Sequence, residues 1–254
     1  MGPVPVDEFR TVEIGPHPHI GLHTVTWLVA GELLHRDSLG SEQPIRPGQL
    51  NLMTAGHGVA HAEESTNDYR GDMHGMQLWV AQPETTRHGE PAFEHHSELP
   101  RVSLGAGEAT VLIGEFGDVT SPARADTELV GIDAMLRAGV SAWALRPDFE
   151  YAVVVIDGTV VVDDTVVAPG QLGYLGLGRQ ELAVSVADGA RLLLLGGVPF
   201  EEPVLIWWNY VARSKEEVEL AGQEWNAAAE RFGRVDSTLA RIRSPLPPWK
   251  TGPA

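Results

Sequence analysis

Short apolar runs rich in valine and leucine cover most of the chain, and glycine or proline interrupts them at short intervals. Runs of that length between turn-forming residues predict strands, so the chain reads as mostly β. One stretch departs from this pattern. From Ser214 onward the apolar positions Val218, Ala221, Trp225, Ala228 and Phe232 follow spacings of three and four residues, which is one face of a helix. Ser214 with Glu217 three residues later makes a capping box, and Gly233 is a suitable C-cap. A helix is therefore expected over 214–233, with its apolar stripe packed against the sheets. Residues 244–254 contain four prolines and read as a loose tail.

The strand pattern repeats. Pro47-Gly48-Gln49-Leu50 recurs as Pro169-Gly170-Gln171-Leu172, and Gly56 and Gly178 close the two segments at the same distance. Upstream, Trp27-Leu28-Val29-Ala30-Gly31-Glu32-Leu33 parallels Val154-Val155-Ile156-Asp157-Gly158-Thr159-Val160. Both halves run strand, glycine turn, strand, Pro-Gly turn, strand, which implies two copies of a small antiparallel β unit. The expected division is 1–120 for the first and 121–254 for the second, with the helix in the latter.

Two histidine-rich pairs change the picture from fold to chemistry. His17-Pro18-His19 and His61-Ala62-Glu63 each have the two-residue spacing that puts both side chains on one face of a strand. On facing strands they would present three imidazoles and one carboxylate to a single point. That donor set suits a first-row divalent ion with positions left for water or substrate. The second copy of the repeat lacks these groups. Aligned on the glycine turns, His17 and His19 fall on Ala144 and Arg146, and His61 and Glu63 fall on Ala183 and Ser185. A framework that keeps its turns while losing its histidines does not need them to fold, so the first copy carries the chemistry and the second serves as scaffold or lid.

Composition narrows the options. The formal net charge is −17, which disfavours direct contact with nucleic acid or anionic lipid. There is no cysteine, hence no disulfide frame, thiolate ligand or cysteine nucleophile. No run reaches membrane-span length, and the start lacks a basic segment followed by an apolar one, so a cytoplasmic location is the expectation. Gly173, Gly176 and Gly178 precede no helix, so a nucleotide fingerprint fits poorly, and no Gly-x-Ser-x-Gly elbow occurs.

His17-Pro18-His19-Ile20-Gly21-Leu22-His23-Thr24-Val25-Thr26-Trp27-Leu28 resembles the signature of the pirin family. So do His35 to Gly40, Pro47 to Gly58 running on to Glu63, His74 to Val80, and Trp207 to Val211. The resemblance covers most of the chain. It implies a bicupin: two tandem cupin-type antiparallel β-barrels with a C-terminal α-helix, only the N-terminal barrel loaded with metal. It also implies iron held by three histidines and one glutamate, which fall on His17, His19, His61 and Glu63. Manganese, copper, nickel and zinc satisfy the same donors. Some bacterial pirins are quercetin 2,3-dioxygenases, and the animal pirin is an iron-dependent transcriptional co-regulator. Two departures stand out. Many pirins carry a glutamate where this chain has His23, and pirins usually have several tens of residues before the first histidine motif, where this chain has sixteen. The short start leaves open whether edge strands of the first barrel are missing.

The leading expectation is a metal-dependent dioxygenase acting on a flavonol or related phenolic with dioxygen, Glu63 serving as ligand and proton shuttle. The alternative is a non-enzymatic iron-binding, redox-sensing regulator acting through a protein partner. Leu22, Leu52 and Met53 are candidates for the cavity wall. Of the other histidines, His23, placed on the His19 face by its four-residue separation, is expected near the site, and His57 and His74 are rim or supporting candidates. His35 reads as a structural hydrogen-bonding group, while His88, His95 and His96 read as solvated. The oligomeric state is open.

Overall fold

Strands occupy the valine- and leucine-rich runs, and each of their ladders is antiparallel. The computed structural model describes residues 2–7, 11–66 and 69–250. They fall into two units, Met1–Glu98 with Glu201–Ala254, and Leu99–Phe200. This corrects the expected division at residue 120. The second barrel begins and ends earlier, and the last fifty or so residues belong with the first unit.

The first unit contains β1 (Val4–Val6), β2 (Glu13–His19), β3 (Leu22–Ala30), β4 (Leu33–Asp37), β5 (Glu42–Ile45), β6 (Leu50–Thr54), β7 (Val59–Glu64), β8 (Gly71–Ala81) and β9 (Ala92–His96). They form a five-stranded sheet in the order β1-β8-β3-β6-β9 and a four-stranded sheet in the order β2-β7-β4-β5. The sheets face each other. Leu28 and Met73 of the first meet Leu33 and Ile45 of the second, all essentially buried. Further along, Met53 and Phe93 meet Val59. Apolar packing of this kind holds the two sheets together and leaves the span between the clusters for polar groups.

The second unit contains β10 (Arg101–Ser103), β11 (Gly107–Phe116), β12 (Val119–Thr120), β13 (Leu129–Ala144), β14 (Glu150–Val162), β15 (Thr165–Val167), β16 (Leu172–Leu177) and β17 (Glu181–Gly197), joined in one sheet. Its core includes Val111, Ile132, Trp143, Val153, Leu182 and Leu192. The repeat appears here in atomic detail. Gln49 N–H donates to Arg46 carbonyl at 3.1 Å, and Gln171 N–H donates to Ala168 carbonyl at 3.0 Å. In both turns the glutamine side-chain oxygen accepts the backbone N–H at the turn's start, from Arg46 at 3.0 Å and Ala168 at 2.8 Å. Gly48 and Gly170 have φ of 88° and 78°, the left-handed conformation that the third position of such a Pro-Gly turn requires. The pairing of Trp27 with Leu50 is matched by Val154 with Leu172. One detail shifts. The His17–His61 pair corresponds to Ala142–Ala183, so His17 matches Ala142 rather than Ala144.

After the second unit the chain returns through β18 (Leu205–Trp207) and β19 (Tyr210–Ala212) to α1 (Lys215–Asn226). Along β7, Ala60 and Ala62 point outward while His61 and Glu63 point inward. The two small residues make a seat for Tyr210, Val218, Ala221, Trp225 and Phe232. Ser214 caps α1 by accepting Glu217 N–H at 3.2 Å. Glu217 reaches back to Arg213 N–H at 2.8 Å, which closes the expected box one residue early. The helix is shorter than expected. It ends at Asn226, Ala228 takes φ of 57°, and Phe232 arrives on a separate 3-10 turn, Glu230–Phe232. Nor is the described part of the tail loose. Ser244 exchanges hydrogen bonds with Asn226, and Trp249 donates to Glu219 at 2.8 Å. Residues 251–254 lie outside the described residues.

Candidate metal centre

β2 and β7 lie side by side with His17 opposite His61. Strand alternation then sends His17, His19 and His61 into the space between the two sheets. Their rings gather closely: centroids are 4.3 Å apart for His17 and His61, 4.9 Å for His19 and His61, and 5.1 Å for His17 and His19. One ring nitrogen from each lies within 4.8 Å of the others. The Nε2 atoms of His19 and His61 are 3.0 Å apart. All three side chains are buried.

Each ring is held from behind. His17 Nδ1–H donates to Gly15 carbonyl at 2.9 Å, and His19 Nδ1–H donates to Asn209 carbonyl at 3.1 Å. A carbonyl only accepts, so these two Nδ1 atoms carry the proton and each Nε2 keeps its lone pair. His61 Nδ1 lies 3.4 Å from His35 Nδ1. His35 Nε2 in turn is 3.0 Å from an Asp37 carboxylate oxygen. Burial lowers the pKa of His17 and takes those of His19 and His61 well down, and the neighbouring histidines lower the latter two further. The rings are therefore neutral at pH 7, the form that coordinates a metal.

Glu63 stands apart from the group of three. It is buried on the same face of β7, and its carboxylate accepts from Gln77 Nε2 at 2.5 Å. Burial pushes its pKa up to about 7, against the opposing effect of the Gln77 hydrogen bond. The structure thus brings three of the four expected groups together, with the fourth turned to β8.

The other expectations divide. Trp79 packs its ring edge to face with His19 at 5.3 Å, which identifies the cavity face of β8. Thr24, opposite Trp79, shares that face, and by alternation so does Leu22. Met53, opposite Thr24, faces the cavity, and Leu52 faces away. His23 also faces away and hydrogen-bonds Thr54 at 2.9 Å. The expectation that it shares the His19 face fails because the two residues are on different strands. Gly21, at φ of 68°, turns the chain between them, and a Cβ there would collide with Val211 carbonyl. His57 is held at a turn by Gly89 carbonyl, and His74 lies on the face of β8 opposite Gln77 and Trp79, so neither supports the site. His95 is not simply solvated: it lies on β9 and hydrogen-bonds Asn51 at 2.7 Å. The sequence reads His35 only as a structural hydrogen-bonding group beside Asp37, and gives Asp37, Gln77, Trp79 and Asn209 no place at the site. His35 and Asp37 carried a usable signal, since they share the two-residue spacing of the other two pairs.

Two antiparallel β-barrels, the first with three imidazoles gathered inside it, define a protein of the cupin class. The pirin family model matches residues 3–80, and the model of the pirin C-terminal cupin domain matches residues 131–233. A Pseudomonas aeruginosa protein named "Putative quercetin 2,3-dioxygenase PA1205" is 45% identical over 98% of this chain and 79% of its own length. A pirin-like protein of Caulobacter vibrioides is 35% identical over 89% of this chain and 80% of its own. The crystal structure of quercetin 2,3-dioxygenase from Acinetobacter baumannii superposes with a TM-score of 0.93 at 42% identity, covering 97% of this chain and 83% of that one. The chain belongs to the pirin family. Among its described residues, no helix is long and apolar enough to cross a membrane.

Proposed function

We propose that this protein is a metal-dependent dioxygenase of the quercetin 2,3-dioxygenase type, acting on a flavonol or related phenolic. The observation that carries this reading is the set of three buried, neutral imidazoles, two of them with Nδ1 bound to a carbonyl so that Nε2 faces the group's centre. Such a donor set fits a divalent ion, and iron is the proposed one. His17, His19 and His61 would hold it, and Glu63 would join them by turning from Gln77. A bound divalent ion supplies a Lewis acid that lowers the pKa of a hydroxyl beside it.

The chain's own groups do the rest. Glu63, whose pKa burial raises to about 7 in the metal-free protein, would accept the proton of a phenolic hydroxyl. Gln77 holds the carboxylate in the position from which it would turn to the ion. Trp79 is 38% exposed and presents an aromatic surface beside His19 for a planar substrate ring. Met53 and Phe93 supply an apolar wall that excludes water. The names of the Pseudomonas and Acinetobacter relatives support the same substrate class.

The test uses protein stripped of metal and reconstituted with Fe2+. Quercetin is added in air, and flavonol absorbance and dissolved oxygen are followed together. The expected result is loss of the flavonol band in step with oxygen consumption. Full metal loading with neither change would overturn the enzymatic reading in favour of a regulatory iron protein.

A further inference from the structure

His17 and His19 rest on backbone carbonyls, but His61 rests on another titratable ring. We propose that His35 and Asp37 are positioning residues that fix His61 in the tautomer whose Nε2 faces the centre. The inference rests on the metal-site reading above and deepens it.

The direction of the chain follows from what each atom can do. Asp37 is buried, and its Oδ1 accepts the N–H groups of Leu39 and Ser41, both at 2.9 Å. Its Oδ2 faces His35 Nε2 at 3.0 Å. A carboxylate accepts only, so His35 Nε2 carries the proton. In the neutral ring His35 Nδ1 is then a bare acceptor, 3.4 Å from His61 Nδ1. His61 must donate from Nδ1, which leaves Nε2 unprotonated. That Nε2 lies 3.0 Å from His19 Nε2, which is also unprotonated because His19 donates from Nδ1 to Asn209. Two lone pairs at that distance repel unless a cation lies between them. The same chain that sets the tautomer therefore prepares the site for a positive charge.

The ring planes are fixed as well. Phe93 stacks on His35 with centroids 4.4 Å apart and planes 14° from parallel. Strand pairing places Asp37 opposite His61 and His35 opposite Glu63. The ring that accepts from His61 is thus held by an apolar face, a carboxylate and the β ladder.

The discriminating substitution is Asp37→Asn, which keeps shape and size. An asparagine has one oxygen. If that oxygen stays with Leu39 and Ser41 N–H, its NH2 group faces His35 and donates to Nε2. His35 then carries its proton on Nδ1 and donates to His61, so His61 moves its own proton to Nε2, where it blocks coordination. Histidine side-chain nitrogen NMR on the metal-free protein reads this directly. The expected result is a His61 Nδ1–H tautomer in the wild type and Nε2–H in Asp37→Asn. Co2+ titration into the same samples, followed by visible absorbance, should show affinity roughly 10- to 100-fold weaker in the variant. His35→Leu should weaken Co2+ binding similarly, and His35→Asn, whose side-chain oxygen can accept from His61, should recover most of it. An unchanged His61 tautomer and Co2+ affinity within twofold in a folded Asp37→Asn protein would overturn the inference. Failure of the wild type itself to bind Co2+ would instead overturn the metal-site reading, because the tautomer measurement needs no metal.

Discussion

Burial acts on Glu63 and on the three histidines in opposite senses, and the pH dependence of the metal-free protein follows. The folded pKa of Glu63, about 7, lies above its ordinary value of 4.5. As pH rises through this window the unfolded chain loses its proton first, so folding loses stability between about pH 4.5 and 7. At about 1.4 kcal/mol per pKa unit the loss is roughly 3 kcal/mol. Denaturant unfolding of metal-free wild type and Glu63→Gln at pH 5 and pH 8 should show the variant gaining about that much relative to wild type at the higher pH. The histidines have lowered folded pKa values, so their contribution is complete above pH 6.5 and is lost as pH falls below it. His61→Ala should abolish stoichiometric metal in elemental analysis, and a full complement of metal in that variant would remove His61 from the ligand set. Much of this scale was legible in the chain. Two-residue spacing put His17, His19 and His61 on common faces because a strand alternates wherever no bulge intervenes, and the irregularity in β2 falls before His17. His23 was misread because Gly21 ends the strand between it and His19. The orientation of Glu63 was out of reach, since its partner Gln77 lies on β8 and no local pattern links the two.

At the scale of elements, α1, β19 and the 3-10 turn share one apolar cluster with the outward face of β7. Ala60 and Ala62 are fully buried under the helix, on the reverse side of the strand that carries His61 and Glu63. Ala62→Leu should cost about 1–3 kcal/mol through overpacking. Because it pushes on the strand between two site residues, it should also weaken Co2+ binding, measured beside the unfolding curve. Ser214→Ala removes the cap on Glu217 N–H. It should cost about 1 kcal/mol in the same unfolding assay and leave metal affinity unchanged. The helix start was legible because its cap chemistry is local. The end was not, because Phe232 continues the spacing of Trp225 on a separate turn, so periodicity alone overran the break at Ala228.

At the scale of the whole chain, the two-copy plan was readable because Pro-Gly turns impose the same backbone on both copies. The division between units was not, since the return of residues 201–254 to the first barrel depends on Ala60 and Ala62 offering a seat rather than on any change in composition. Metal binding couples to this fold. If the folded site alone binds, an ion at 100 times its dissociation constant adds about 2.7 kcal/mol. A chelator should therefore lower the melting temperature of wild type and leave that of His61→Ala unchanged. The anchor of His19 is the carbonyl of Asn209, 190 residues further along the chain. During synthesis, the first barrel's strands leave the ribosome long before that carbonyl has been made. A chain cut short before residue 209 would present the histidines with one of them unfastened. Secure metal uptake thus requires that translation has passed residue 209, and products terminated before it should emerge from the cell poor in metal.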